Sequence, residues 1–402
     1  TREGFPLSRA CHYYLGFSGK PIFDRSQDGF DALHDADGQL CRQGDLIVVP
    51  HLADSLSAIA DEGSRVFYRG ELGRRISEHV RDAGGGLTRE DLECFEAVER
   101  PSLTVGIGDW TIASTPPPAI GGSVLAAMLL ACRDLQHPRW TREALARLIN
   151  VQQAVLNFRR QRMDFAADVG PEAQELLDVA TDTTRLSKWA SASTVHTSAV
   201  DENGVACAVT ASSGYGSGEM PDGTGLWLNN CLGEIELNRR GLDAGPPGVR
   251  LPSNMAPSVA RRDGAVLAVG SPGADRITTA MQQFLINYLQ LNMSLAEAIA
   301  HPRVHVDTSG DVIRLKAEPG LVLPEVDIGR DCRITKAILD RGCEIPAGTV
   351  IPGTSCTPEN INDYDMEGNG CGSAVYECNE DGMCVEPEDH YDSISLGLNF
   401  AA

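Results

Sequence analysis

The sequence predicts an α+β chain, and three observations carry that prediction. Apolar residues recur at helical spacing over long segments, residues 51–82 and 142–163 among them. An alternating, β-branched run from Thr194 to Val200 turns on Asp201-Glu202-Asn203-Gly204 and returns through Val205–Thr210, the pattern of a hairpin. A strand-like run, Ala265–Val269, leads through a glycine-containing loop into a helical pattern from Thr278 to Leu289.

Composition narrows the functional classes. A chain of 402 residues can hold one large or two ordinary domains with a sizeable core. Its 42% hydrophobic and 22% charged content is that of a globular protein. A net charge of −22 argues against a nucleic-acid or anionic-membrane surface. No run approaches the roughly 18 apolar residues of a membrane span. The twelve cysteines contain no C-x-x-C, which argues against a zinc ribbon or a thioredoxin-type site. Cys356, Cys371, Cys378 and Cys384 crowd the C-terminal end, and the others are spread singly, as buried small hydrophobes are. The chain opens Thr1-Arg2-Glu3-Gly4-Phe5, without Met and without an apolar stretch of signal-peptide type. Any export signal is therefore expected outside it.

In chain order, residues 51–82 read as helix interrupted at Phe67-Tyr68-Arg69-Gly70. Gly84-Gly85-Gly86 then turns into a capped helix, with Thr88 as N-cap and Asp91 in the capping-box position. No strand precedes these glycines and no Lys-Ser/Thr follows, so they do not read as a phosphate loop. Trp110–Thr115 is a strand, and Pro116–Gly122 connects it to a helix from Ser123 to Cys132. The connector's glycines allow close backbone approach, in a rigid junction or in a site wall. Residues 142–163 form a helix with Leu145, Leu148, Val151, Val155 and Phe158 on one face, and its arginines are expected to solvate the other. Thr181–Ser193 is a polar loop leading to Thr194.

Three loops follow the hairpin. Thr210–Gly218 supplies small hydroxyls and glycines, and Leu251–Pro257 carries Ser253-Asn254. Gly270–Ile277 lies between a strand and a helix, where backbone N–H groups can bind an anion or oxyanion.

These motifs, in this order, resemble the gamma-glutamyltranspeptidase family of N-terminal-nucleophile hydrolases. The resemblance runs from about Gly4 to about Gly320, through Phe67–Gly70, Gly86-Leu87-Thr88, Pro116–Gly122, Thr194–Gly204 and the later loops. It implies a four-layer αββα sandwich and a precursor that cuts itself between Ser193 and Thr194. Thr194 then serves as nucleophile through its hydroxyl and as base through its own α-amine, so no His–Asp pair is needed. A free α-amine has a pKa of about 7.7–8.0, close to working pH. His196, one residue removed, shares a strand face with Thr194 and reads as a packing or support residue. The resemblance assigns the oxyanion to the Gly273 and Ala274 amides, and the α-carboxylate to Ser253, with Asn254 beside it. It assigns the α-amino group to Glu234, with Cys231 nearby, and orientation of the nucleophile to Ser212. It implies no cofactor and no metal. Its partners are a small gamma-glutamyl substrate such as glutathione and a water or amino-acid acceptor, with the two cleaved segments held as a heterodimer.

The recognition residues depart from the family pattern. The loop after Thr210 is shorter than usual, and Gly214 stands in place of Asn. Cys231 replaces Glu or Gln, Glu234 replaces Asp, and Asn254 replaces the second Ser. Ala274 replaces the second glycine of the oxyanion turn, which is expected to be harmless if its φ is negative. These changes keep a cephalosporin-type (glutaryl amide) acylase open as an alternative, and an inactive composite relative as another. The division expected is a large-subunit-like segment over 1–193, N-terminally truncated, a catalytic segment over 194–320, and an atypical tail over 321–402. In the family the Arg that clamps the substrate carboxylate lies ahead of the point matching Gly4, and no Arg of this chain matches it by motif, so either another chain is expected to provide it or the sequence is expected to be a fragment. Within the tail, residues 325–351 have hexapeptide spacing that resembles the β-helical end of ADP-glucose pyrophosphorylases. That segment is expected to be too short to stack as a stable solenoid.

Overall fold

The computed structural model describes residues 1–135, 140–180, 194–234, 238, 241, 248–308 and 314–318, and four two-residue strands between 327 and 351. The chain divides into two compact units, residues 1–101 with 212–251, and residues 102–211 with 252–402.

The first unit is helical. A short antiparallel pair, β1 (Phe5–Pro6) with β2 (Leu46–Ile47), brackets α1 (Arg9–Ile22) and α2 (Gln27–Leu33). Ser8 caps α1 by accepting from Cys11 N–H at 3.1 Å. Then come α3 (Leu52–Glu62), α4 (Ser64–Tyr68) and α5 (Glu71–Asp82), so the helical pattern of 51–82 breaks near the predicted interruption. The helix α6 (Arg89–Glu93) begins on the predicted capping box. Asp91 N–H donates to Thr88 Oγ1 at 3.2 Å and Thr88 N–H donates to Asp91 Oδ2 at 2.8 Å. Leu7, Leu15, Leu33, Ile47, Val49 and Met220 form this unit's core. Described residues of the 212–251 segment are tied to it through side chains. Ser55 Oγ donates to Thr224 O at 2.6 Å, and Phe23 meets Trp227 edge-on.

The second unit is built on an antiparallel sheet of order β3 (Leu103–Ile107), β4 (Trp110–Ser114), β7 (Ser258–Arg262) and β8 (Ala265–Val269). The hairpin β5 (Val195–Val200) and β6 (Ala206–Ala211) packs beside β7 and β8, with His196 opposite Thr210. The helix α7 (Gly121–Ala131) is apolar on every side and correspondingly buried, with Val124, Leu125 and Met128 at most 1% exposed. It packs with α8 (Arg142–Phe158), α9 (Val169–Val179) and α10 (Arg276–Leu285) in a core that includes Leu148, Val151, Val155, Ile277, Met281 and Phe284. After α11 (Leu295–Ala300), β9 (Val304–Asp307) pairs antiparallel with β10 (Arg314–Ala317).

Two helices end in π-helical turns, Arg159–Met163 after α8 and Ile286–Gln290 after α10. The first corrects the expectation for residues 142–163. The α-helical count stops at Phe158, and Arg159, expected on a solvated face, is only 3% exposed. Arg159 stands four residues after Val155 and eight after Val151, so helical spacing already places it on the buried apolar face. Arg162 is exposed as expected, against Glu172 and Glu175.

In the tail, β11 (Asp327–Ile328) pairs in parallel with β13 (Glu344–Ile345), and β12 (Arg333–Ile334) with β14 (Val350–Ile351). The described residues of the hexapeptide-spaced segment thus pair in parallel at two places, two residues each. Parallel backbone pairing needs only two successive coils in register. The loop predicted over 181–193 and the acidic residues 352–402 lie outside the described residues.

Candidate functional site

Of the residues singled out in the sequence, Thr194, Ser253, Asn254, Gly273 and Ala274 belong to the second unit. Ser212, Cys231 and Glu234 belong to the first. Ser193 lies outside the described residues.

Thr194 is partly buried and leads directly into β5. Strand alternation turns His196 inward, where it is 4% exposed. Both ring nitrogens have partners: Nδ1 lies 2.7 Å from Thr210 Oγ1 on β6, and Nε2 lies 2.8 Å from Ser198 Oγ. Burial holds the imidazole below its ordinary pKa, so it is neutral near pH 7. The ring packs on Gly270, where a Cβ would collide with it. Gly270 in turn opens the loop that carries Gly273 and Ala274, so the start of β5 and that loop are packed through one side chain.

The loop itself is a tight turn into α10. Arg276 N–H donates to Gly273 O at 2.9 Å, and Ile277 N–H donates to Ala274 O at 3.2 Å. Gly273 has φ 119° and Ala274 has φ 52°. The expectation of a negative φ at Ala274 is thus corrected: this residue sits in the left-handed region. A Cβ there costs about 1–2 kcal/mol, and Ala274 is only 1% exposed. Asp275, the next residue, is also buried and takes part in the cluster with Arg159 and Asn254.

The Ser253 loop is fixed from the other side by the proline–glycine connector. Ile120 and Gly121 N–H donate to Ser253 O at 2.8 and 3.0 Å, and Thr115 Oγ1 donates to Met255 O at 3.1 Å. A Cβ on Gly121 would overlap Asn254 O, so glycine is required there for close approach. The connector is therefore a wall for the Ser253 loop. Asn254 is 3% exposed and turns its amide to Asp275 at 2.8 Å.

In the first unit, Ser212, Cys231 and Glu234 lie on one short stretch of folded chain. Ser212 Oγ accepts from Gly214 N–H at 3.1 Å, and the Cys231 thiol reaches Ser212 O at 3.7 Å. Glu234 is 2% exposed. Burial, then the Glu234 charge, pushes both the Cys231 thiol and the Tyr14 phenol up. Tyr14 donates to Tyr215 O at 3.0 Å, tying α1 to this stretch. Gly214, with φ 63°, faces Asn230 so closely that a side chain there would strike the Asn230 amide.

Arg159, Asp164 and Asp275 were not singled out from sequence. Helical spacing puts Arg159 on the face of Val151 and Val155, the signal that could have found it, but its carboxylate partners lie far away in the chain or in the following turn. Among the described residues no group of three His, Cys, Asp or Glu side chains could hold a metal ion, and no helix is long and apolar enough to cross a membrane.

The gamma-glutamyltranspeptidase family model matches residues 1–326, and a GlmU-like C-terminal hexapeptide model matches residues 292–366. The glutathione hydrolase proenzyme of Escherichia coli (strain K12) is 26% identical over 351 residues, covering 79% of this chain and 60% of that protein. The Homo sapiens glutathione hydrolase 5 proenzyme is 30% identical over 325 residues, covering 67% of this chain and 55% of that protein. The chain thus spans little more than half the length of these relatives. Among solved structures, a cephalosporin acylase from Bacillus halodurans superposes with a TM-score of 0.64 at 20% identity, over 79% of this chain and 61% of that one. That likeness is one of fold.

Proposed function

Because this chain belongs to the gamma-glutamyltranspeptidase family, we propose that it is a self-processing threonine amidohydrolase or transpeptidase acting on gamma-glutamyl amides, glutathione among them. Cleavage between Ser193 and Thr194 frees the Thr194 α-amine. That amine takes the proton of the Thr194 hydroxyl as the oxygen attacks the amide carbon. The Gly273 and Ala274 N–H groups receive the negative charge of the tetrahedral oxygen, each donor typically being worth about 2.7–4 kcal/mol. Collapse expels the amine, which takes the proton back from the Thr194 ammonium, and leaves an ester on Thr194. Water gives hydrolysis, and an amino acid gives transfer.

Substrate recognition in this reading follows the family's roles residue by residue. Ser253, with Asn254 behind it, takes the α-carboxylate, and Glu234 takes the α-amino group. Ser212 orients the nucleophile, and Cys231 borders the glutamyl position. The observation that supports the reading best is the packing of His196 on Gly270. It fixes the strand that follows Thr194 against the loop that carries Gly273 and Ala274.

The test is intact mass and N-terminal sequencing of the purified protein. A fragment beginning Thr194-Val195-His196 is expected, and Thr194→Ala should abolish it. A single uncut chain would sink the reading. Turnover of gamma-glutamyl anilide and glutathione, against a glutaryl amide, then decides the acyl group.

A further inference from the structure

Beneath the Gly270–Ile277 turn lies a buried charge cluster of which only Asn254 enters the chemistry above. Arg159 Nε donates to Asp164 Oδ1 at 2.9 Å, and Arg159 Nη1 donates to Asp275 Oδ1 at 3.1 Å. Asn254 Nδ2 donates to the same Asp275 oxygen at 2.8 Å. All four side chains are at most 4% exposed. Burial opposes the guanidinium charge, but Asp164 and Asp275 outweigh it and hold the group above its ordinary pKa.

Three separate segments therefore meet at one carboxylate oxygen: the end of α8, the Ser253–Asn254 loop and the residue preceding α10. Asp275 is bonded directly to Ala274, the residue with φ 52°. A Cβ-bearing residue left to itself moves out of that region. A buried ion pair is a weak source of net stability, and its best-attested use is to fix one arrangement among several. Only an Arg can serve two carboxylates with one planar fork.

We propose that Arg159 is a positioning residue which, through Asp275 and Asn254, locks Ala274 in its left-handed conformation. The lock fixes where the Gly273 and Ala274 N–H groups point, and ties that direction to the Ser253 loop. The proposal rests on the reading of this turn as the oxyanion site and adds to it the group that holds the turn in place. With the lock broken, Ala274 relaxes, the amides swing away, and the transition state loses its donors while ground-state binding is largely kept.

The test uses Asp275→Asn, Arg159→Lys and Ala274→Gly, singly and in pairs, on gamma-glutamyl p-nitroanilide and in urea unfolding. Asp275→Asn and Arg159→Lys should each lower kcat at least ten-fold and change KM less than three-fold. Glycine at 274 adopts positive φ without restraint, so Ala274→Gly should restore at least five-fold of the loss. A merely structural cluster gives a different result: kcat falls only as the folded fraction falls, and glycine restores nothing. That result, or no loss of kcat in either variant, overturns the proposal.

Unfolding tests the same idea without turnover. Ala274→Gly should raise the urea midpoint of the otherwise unchanged chain, and raise it less when Asp275 is Asn. Additive shifts overturn the proposal. If Asp275→Asn does not fold, Arg159→Lys serves in the same cycle. If the parent neither cuts itself nor turns over the anilide, the functional reading fails, and the urea cycle still decides the role of Arg159.

Discussion

The imidazole of His196 occupies the space that a Cβ on Gly270 would need. The contact joins the first strand of the hairpin to the head of the turn before α10. It also explains why the ring is buried and neutral, with Thr210 and Ser198 on its two nitrogens.

Gly270→Ala should therefore do more than add a methyl group. The ring cannot retreat without giving up Thr210, so β5 itself has to move. Overpacking of this kind costs about 1–3 kcal/mol. Urea unfolding should show that loss, and any cleavage before Thr194 should slow with it. A variant as stable as the parent would contradict the packing described.

Acid should weaken the fold through His305. Burial, reinforced by Arg276 and Lys316 and opposed by Asp307, lowers its pKa to about 3. Its Nδ1 lies 3.0 Å from Thr279 Oγ1. The unfolded chain binds this proton at about pH 6.5. The folded chain resists it, so the contribution is complete above about 6.5 and is lost as pH falls toward about 3. Each pH unit in that window removes about 1.4 kcal/mol from this group alone. His196, also lowered, acts in the same direction. Between pH 7.5 and 4.5 the urea midpoint of the parent should fall more than that of His305→Asn. Equal falls would remove His305 from the account.

Thiol reactivity should follow burial. Burial pushes the Cys132 thiol up to about 12 against the pull of Arg147, whereas Cys11, Cys94 and Cys207 are exposed. At pH 8 only about one Cys132 in ten thousand is a thiolate, and thiolate is the reactive form. Iodoacetamide under native conditions, followed by peptide mapping, should label the three exposed cysteines and spare Cys132 until denaturant is added. Labelling of Cys132 at the rate of Cys94 would refute this.

The capping box at α6 offers a local test. Hydrogen bonds from Thr88 hold the Asp91 carboxyl below its usual range. Removing the cap by Thr88→Ala should cost about 0.5–2 kcal/mol and speed amide exchange in Arg89–Glu93. Unchanged exchange there would show that the cap is idle.

The sequence by itself determined the elements whose causes are local. Thr88 and Asp91 announce α6 because a capping box closes within one turn. The run from Thr194 to Thr210 announces its hairpin because alternation and an Asp-Glu-Asn-Gly turn are read residue by residue. The strands β3 and β7 escaped such a reading, whereas β4 and β8, equally short and in the same sheet, were legible beside the glycine-containing connectors that follow them. The pairing of β11 with β13 and of β12 with β14 depends on register between coils, which no single coil's sequence states.

Only the tertiary structure decided the conformation of the turn at Ala274 and the place of Arg159. A left-handed alanine is unfavourable by itself, and a solvated arginine is the ordinary outcome on a helix. Each holds here because residues far apart in the chain, Arg159, Asn254 and Asp275, share one buried oxygen. No local rule contains that meeting, whose energetic reason is the need to satisfy a buried charge from several directions at once.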